Sequence, residues 1–377
     1  MATPSPTGLL DHFADLPDPR VARTRAHKLI DIIAIAICAI LCGAEGWTEV
    51  AQFGQEKSKW LKRFLELPNG IPSHDTFGRV FARLCPKAFE AAFANWVAAI
   101  AEPLQGQVVA IDGKTVRRSH DRRAGKAAIH LVSAWADAQR LVLGQVSTDA
   151  KSNEITAIPE LLALLDLHGC IVTIDAMGCQ KAIAADIVER GADYVLALKG
   201  NHDHLHHDVG HAFNYLRRTD FKDSPSSYFE TVDKDHGRIE VRRHWTIPLP
   251  PWMAREYGTW TGLQSLGLVE SERHQGTQTT VETRCYLCSL TSDAQRFAHA
   301  VRSHWGVENP LHWVLDVAYR EDESRVRSGH AAGNLSRLRR LTLNLLRRDT
   351  STKAGIRAKR LKAAWSESYL TKLLMIN

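Results

Sequence analysis

The sequence predicts an α/β protein: a mixed β-sheet with a β-rich insertion, preceded by a helical N-terminal domain and followed by a basic helical tail. Three observations carry this. Residues 1 to about 100 hold apolar residues at helical spacing, short apolar runs alternate with helical segments from about Gly106, and residues 200 to about 290 alternate like strands between polar, Pro-rich loops. With 377 residues, 44% of them hydrophobic and 24% charged, the chain has length for two or three domains with their own cores.

In the first region, helices are expected around Lys28–Cys42, Thr48–Leu67, Ser73–Cys85 and Ala88–Ala101, broken at Gly43, Gly46, Pro68, Gly70 and Pro86. Ser73 is a candidate N-cap for SHDTFGRVFARLC. Phe77, Val80, Phe81 and Leu84 face a core there, and Arg79 and Arg83 lie outside it, as in a helix-turn-helix recognition helix or a plain bundle helix. QVVAID is a strand, and AIHLVSAWAD with QRLVLGQVST a hairpin around Ala138-Gln139. A helix at Glu154–Leu167, the strand CIVTID, a helix at Gln180–Arg190 and the strand DYVLAL complete a β-β-β-α-β-α-β order, antiparallel first and parallel after. SYFETVD, RIEVRRHWTI, LGLVESER and TTVETRCYLCSL supply the insertion, and helix returns near Ser292.

Composition excludes several classes. The longest apolar run, Leu29–Cys42, contains Asp31 and is too short for a bilayer. MATPSPTGLL lacks a secretory pattern, so a cytoplasmic protein without membrane partners is expected. Seven scattered cysteines form no disulfide framework. Cys285 and Cys288, on a strand, point to opposite faces and suit core packing better than zinc. HDHLHHDVGH, residues 202–211, reads as a polar helix in preference to a zinc site. The formal charge is +6, but from Arg320 to Asn377 14 Lys and Arg face 5 Asp and Glu, a net +9 that suits a polyanion.

Asp112 and Asp175 each end an apolar strand, VVAID and CIVTID. If those strands pair in parallel, both carboxylates emerge at the sheet edge where α/β proteins bind ligands, and they repel unless a cation lies between them. Hard oxygen ligands suit Mg²⁺ or Mn²⁺; the competing reading is that each Asp caps a turn. A third acid is sought in AVRSHWGVENPLHWVLDVAYREDES. On a helix Glu308 shares a face with His304, Leu311, His312 and Leu315, and is expected at the core edge rather than in open water, provided Pro310 is accommodated by a kink or a helix start. Glu321, Asp322 and Glu323 are rivals, expected to be solvated.

AIDGKTVRRS, TIDAMGCQKAIA, YVLALKGNH, RSHWGVENPLHWVLDVAYRED and NLSRLRRLTLNLL, in this order, resemble the signature blocks of bacterial insertion-sequence transposases of the H-repeat-associated type. That group lies within the DDE transposases, which have a ribonuclease H-like catalytic domain. The resemblance covers nearly the whole chain. It implies a helical DNA-binding domain, of helix-turn-helix or plain bundle type, at 1–103, the first part of the catalytic domain at 104–200, the β-rich insertion at 201–291, the remainder with the glutamate helix at 292–348, and a basic tail at 349–377. It implies Asp112, Asp175 and Glu308 as catalytic, metal-binding residues holding two Mg²⁺ or Mn²⁺ ions. Related families carry Tyr, Arg and Lys around the glutamate. Here Val301, His304, Trp305 and Leu315 occupy those neighbouring positions, so the Tyr and Lys are missing and His304 stands for the Arg.

The implied chemistry is phosphoryl transfer: water attack frees the element's end, and the 3′-hydroxyl then attacks target DNA. The partner is double-stranded DNA, as terminal inverted repeats and as target, and paired-end cutting implies a dimer on DNA. Lys114, Arg117, Arg118, Lys199, Asn201, His304, Trp305, Arg325 and Arg327 are candidate DNA contacts. A haloacid dehalogenase-type phosphatase needs a nucleophilic Asp at position 110, which is Ala, and a glycosidase needs an aromatic sugar cleft. The remaining alternative is a transposase-derived protein that binds DNA without cutting it.

Overall fold

The computed structural model describes residues 8–121, 125, 127–148, 154–222, 224–235 and 237–374. The N-terminal third is helical: α1 (Leu29–Leu41), α2 (Trp47–Glu56), α3 (Ser58–Leu61), α4 (His74–Arg83) and α5 (Pro86–Ile100). Ser73 caps α4, its hydroxyl accepting from the Thr76 N–H at 3.4 Å, and Phe77, Val80, Phe81 and Leu84 are buried. The strand–helix succession follows: β1 (Val108–Thr115), β2 (His130–Ala136), β3 (Leu141–Thr148), α6 (Glu154–Leu162), β4 (Ile171–Ile174), α7 (Lys181–Glu189) and β5 (Asp193–Leu198). After α8 (Asp203–Arg218), which takes up the histidine-rich string, come β6 (Ser227–Asp235), β7 (Arg238–Pro248), α9 (Pro251–Glu256), β8 (Ser265–Gln275) and β9 (Gln278–Cys288).

These strands form one nine-stranded sheet in the order β3-β2-β1-β4-β5-β9-β8-β7-β6. β4 runs parallel to β1 and β5 parallel to β4; the other pairings are antiparallel. The block after residue 200 therefore extends the same sheet, through β9 on β5. Each strand of the centre is apolar on both sides because both faces are covered. α10 (Ala294–Trp305) packs on one face, where Phe297 and Val301 meet Val108, Ile171, Val195 and Cys288. The opposite face, which includes Val109, Val172 and Cys285, merges with the helical core. Cys285 and Cys288 thus lie in different cores, as the strand period requires.

A π-helical turn (Val307–Trp313) leads into α11 (Val314–Tyr319), followed by α12 (Ala331–Arg348), α13 (Ile356–Trp365) and α14 (Glu367–Leu374). Every residue of α12 from Ala331 to Leu346 is buried. The helix covers the edge strand β3, whose outer backbone groups need partners. Asn344 supplies them at Val142, accepting from its N–H at 2.9 Å and donating to its carbonyl at 2.8 Å. Glu90 of α5 accepts from the Gln145 N–H at 2.6 Å and pairs with Arg337.

Two expectations need correction. Glu321, expected in solvent, is 0% exposed. It accepts from Arg340 Nη1 at 2.9 Å and Ser336 Oγ at 2.6 Å, and Lys114 Nζ lies 3.4 Å away. Burial alone would raise its pKa, but Arg340, Lys114 and Arg339 hold the carboxyl well below the usual range. The basic C-terminal segment is likewise partly internal: Arg337, Arg339, Arg340, Lys359 and Arg360 are buried. Side-chain charge there serves packing as well as surface.

Glu321→Gln leaves Arg340 without its counter-charge and takes from Lys114 one of its acids, and chemical denaturation should show a loss of about 3–5 kcal/mol. Because the folded-state pKa is depressed, the contribution is present above the ordinary value of 4.5 and fades as pH falls below it. The gap between wild type and variant should therefore narrow on acidification from pH 6 towards pH 3.

Candidate active site

The parallel register of β1 and β4 sets Val108 beside Ile171 and Ile111 beside Ile174, so the next residues, Asp112 and Asp175, leave the pair at one end. The settings then differ. β4 stops, and Asp175 turns the chain, its Oδ1 accepting from Met177 N at 3.0 Å and Gly178 N at 3.3 Å. β1, expected to end at Asp112, continues to Thr115 because β2 goes on pairing with it. Asn201, just past β5, donates to the Ala176 carbonyl at 2.9 Å and pins the turn that carries Asp175.

The third acid arrives from the opposite layer. α10 lays His304 against β4, with Nδ1 3.0 Å from Thr173 Oγ1. Pro310 lacks an N–H and cannot continue an α-helix, and the chain widens into the π-turn that contains it. From that turn His312 donates through Nε2 to Asp112 Oδ2 at 2.9 Å, while its Nδ1 is buried without a partner among the described residues. Glu308 lies four residues before His312 on the same turn. Contrary to expectation it is exposed, because the turn presents it to the open mouth of the site rather than to the core.

Asp112, Asp175, Glu308, His304, Lys199 and Trp305 line one cavity of about 180 Å³. Burial pushes the Asp112 carboxyl up, but the His312 hydrogen bond and the neighbouring imidazoles outweigh it and hold the pKa down. Asp175 is raised by burial and by the nearby charges of Glu154 and Asp112. Burial drives His304 down, towards its neutral form, against the pull of Asp112, Asp175 and Glu308.

Hard carboxylate oxygens crowded enough to perturb one another are donors that fit a divalent cation. The side chains are not drawn into a cage, however: among the described residues no group of three or more His, Cys, Asp or Glu is close enough to hold a metal ion. Asp112 instead spends a carboxylate oxygen on His312.

Two sets of residues escaped the sequence reading. Glu154, at the start of α6, bonds His130 Nε2 at 2.6 Å, and His130 Nδ1 is 2.9 Å from Thr115 Oγ1. A Cβ on residue 113 would come within 2.1 Å of Glu154 Oε1, so Gly113 keeps room for this acid behind Asp112. Nothing local in the sequence joins Glu154 to a strand 40 residues earlier. The second set forms a trench of about 650 Å³ continuous with the acid cavity through Arg284, Tyr286, Trp305 and Glu308. Its wall is one face of β7, β8 and β9, with Arg238, Arg242, Arg273 and Arg284 in period-two positions, and Arg302 and Arg140 at the rim. Arg284 stacks over Trp305 at 4.4 Å. The alternation in RIEVR and ETR was the available signal.

Other candidate contacts fall elsewhere. Lys114 is outside the cavity, paired with Asp316 and Glu321. Arg117 pairs with Asp322 at 3.2 Å, and the Arg118 carbonyl accepts from Arg327 Nε at 3.0 Å. Arg325 and Arg327 line a separate groove against α4.

His312→Ala removes the hydrogen bond that opposes burial, so the Asp112 pKa should rise. Carboxyl ¹³C shifts followed by titration test this, and an unchanged Asp112 would show that His312 does not control it.

Two family models match the chain: residues 10–97 fit "DDE_Tnp_1-associated" and residues 103–345 fit "Transposase DDE domain". "Putative transposase YncI" of Escherichia coli O157:H7 is 43% identical over 369 residues, 97% of this chain and 94% of that protein. "H repeat-associated putative transposase YhhI" of Escherichia coli (strain K12) is 40% identical over 370 residues, 97% of each. Among solved structures, a piggyBac transposase synaptic complex with hairpin DNA aligns at TM-score 0.41 and 10% identity, covering 97% of this chain and 76% of that one.

Proposed function

The chain belongs to the transposase DDE domain family, and from that premise we propose that it cuts the ends of an insertion element and joins the freed 3′-hydroxyls to target DNA, using Asp112, Asp175 and Glu308. The observation that carries the reading is that these acids, from β1, the turn after β4 and the turn after α10, face one cavity that opens into a trench where six arginines outnumber the acids Glu240, Glu282, Asp137 and Glu308. Acid to bind cations and arginine to bind phosphates are what phosphodiester transfer needs in one place.

In this reading β3-β2-β1-β4-β5 is a ribonuclease H-like sheet, entered at 104–200, extended by the insertion at 201–291 and closed by 292–348. Residues 1–103 form the helical DNA-binding domain and 349–377 the basic tail. Asp112, Asp175 and Glu308 would hold two Mg²⁺ or Mn²⁺ ions, which supply activation of the attacking hydroxyl and charge stabilisation of the leaving oxygen. The chain's own groups do the rest. His312 holds the Asp112 carboxylate in its ionised form and fixes its direction. Asn201 fixes the Asp175 turn. Lys199, His304 and Trp305 flank the acids, and Arg284, Arg242 and Arg302 orient the sugar–phosphate backbone arriving along the trench. Paired cutting brings two subunits together on DNA. No helix among the described residues is long and apolar enough to cross a membrane, in keeping with work at the bacterial nucleoid.

A second reading has one observation in its favour. Asp112 is engaged by His312 and no metal-binding group is assembled among the described residues, as in a protein that binds element ends without cutting. Purified protein incubated with Mg²⁺ or Mn²⁺ and DNA from the flanks of its gene separates the two. Strand cleavage is expected, and it should be lost in Asp112→Ala, Asp175→Ala and Glu308→Ala while DNA binding persists. Binding without metal-dependent cleavage by wild type would establish the second reading.

A further inference from the structure

The acid cavity and its trench leave a second basic groove unexplained. It lies between α4 and the segment 324–331, with a volume of about 700 Å³, and shares no lining residue with the other two. Arg79 and Arg83 from α4, Arg325 and Arg327 from the segment, and His74 converge on it, with Asp75 the acid among the lining residues. These cations come from positions some 250 residues apart, and the fold brings them together.

The groove is built rather than incidental. α4 turns its small residues Gly78 and Ala82 into it at helical spacing, which allows the backbone of the segment to lie against the helix. His330 donates its N–H to the Ala82 carbonyl at 3.0 Å, and a Cβ on Gly329 would fall 2.4 Å from that carbonyl oxygen. Gly329 has φ +50°, a left-handed conformation that glycine adopts without strain. On the other side Arg327 bonds the Arg118 carbonyl, and Asp322 and Glu321 tie the start of the segment to Arg117 and Lys114. The walls are thus braced against β1, two residues from Asp112.

The charges are unbalanced. Arg79, Arg83 and Arg325 are exposed and have no hydrogen bond or ion pair among the described residues. Arg79 and Arg83 are also four apart on one helix, an arrangement that like charges destabilise. Arg243 on β7, by contrast, is half-buried and matched by Glu230, Glu270 and Glu272. A concave surface that gathers four arginines against the single carboxylate of Asp75 fits a repeated anion outside the protein.

We propose that this groove binds the sugar–phosphate backbone of double-stranded DNA at a place separate from the acid site, with Arg79, Arg83 and Arg325 each contacting a phosphate. This rests on the transposase reading for the identity of the polyanion. The braces to β1 make the groove a fixed reference that sets where the duplex lies relative to Asp112.

The test is binding of a fluorescein-labelled duplex of about 30 base pairs and arbitrary sequence, by anisotropy in EDTA across a range of KCl. The triple variant Arg79→Ala/Arg83→Ala/Arg325→Ala should bind about tenfold or more weaker and flatten the plot of log K against log salt by about one unit per arginine. An Arg218→Ala/Lys222→Ala/Arg255→Ala control removes equal charge from exposed sites outside the grooves and outside residues 1–103, and should leave the slope near wild type. Arg83→Gln alone, a milder change on a helix surface, should flatten it by about one unit. A slope unchanged in the triple variant, a loss matched by the control, or a loss confined to single-stranded RNA overturns the proposal. EDTA keeps the two readings apart: absent Mg²⁺-dependent cleavage counts against the transposase chemistry, and an unchanged slope counts against the groove.

Discussion

A single carboxylate with no access to water, Glu321, ties the central sheet to the C-terminal helices. A charge so placed is tolerated only when it is fully paired, and Arg340, Ser336 and Lys114 pair it from α12 and β1. The consequence reaches the site. Lys114 lies two residues beyond Asp112, so the hub sets the line of β1 at the point where its parallel partner has ended. The same hub anchors the segment leading to Arg325 and Arg327, and α12, held by it, covers the edge of β3 through Asn344. Acid cavity, arginine trench and second groove are all surfaces of one braced body.

The site itself is held under electrostatic tension. Asp112 stays ionised because His312 offsets its burial, whereas Asp175, close to Glu154 and Asp112, is pushed the other way. Two neighbouring acids with opposite shifts are a common mark of working sites. The π-turn matters here because Pro310 rules out a regular helix, and the widened turn lets Glu308 reach the mouth of the cavity while His312 reaches the Asp112 carboxylate. Had the chain stayed α-helical, the two would share one stripe.

The central strands and most helices were legible because their apolar runs are bounded by Gly and Pro, as at Gly43, Pro68 and Pro86. The two aspartates stood out as candidates because each follows an apolar run, although β1 continues past Asp112 to Thr115. What was not legible depends on pairing across the fold. The acid row at 321–323 looks like a solvated turn, and only Arg340 and Lys114 make Glu321 internal. The exposure of Glu308 follows from a backbone irregularity that helical spacing does not encode. Glu154 joins the site through His130, a contact between α6 and β2 that no motif records. The arginines of β7–β9 alternate with period two, but their convergence requires the register of three strands.

The claim at the centre is that Asp112 and Asp175 share a divalent cation. Anomalous diffraction from crystals soaked in Mn²⁺ addresses it without any appeal to activity. The expected result is a Mn²⁺ peak between the two carboxylates, with Asp112 turned towards it. A cavity that stays free of Mn²⁺ at saturating concentration, with His312 still bonded to Asp112, would contradict the claim.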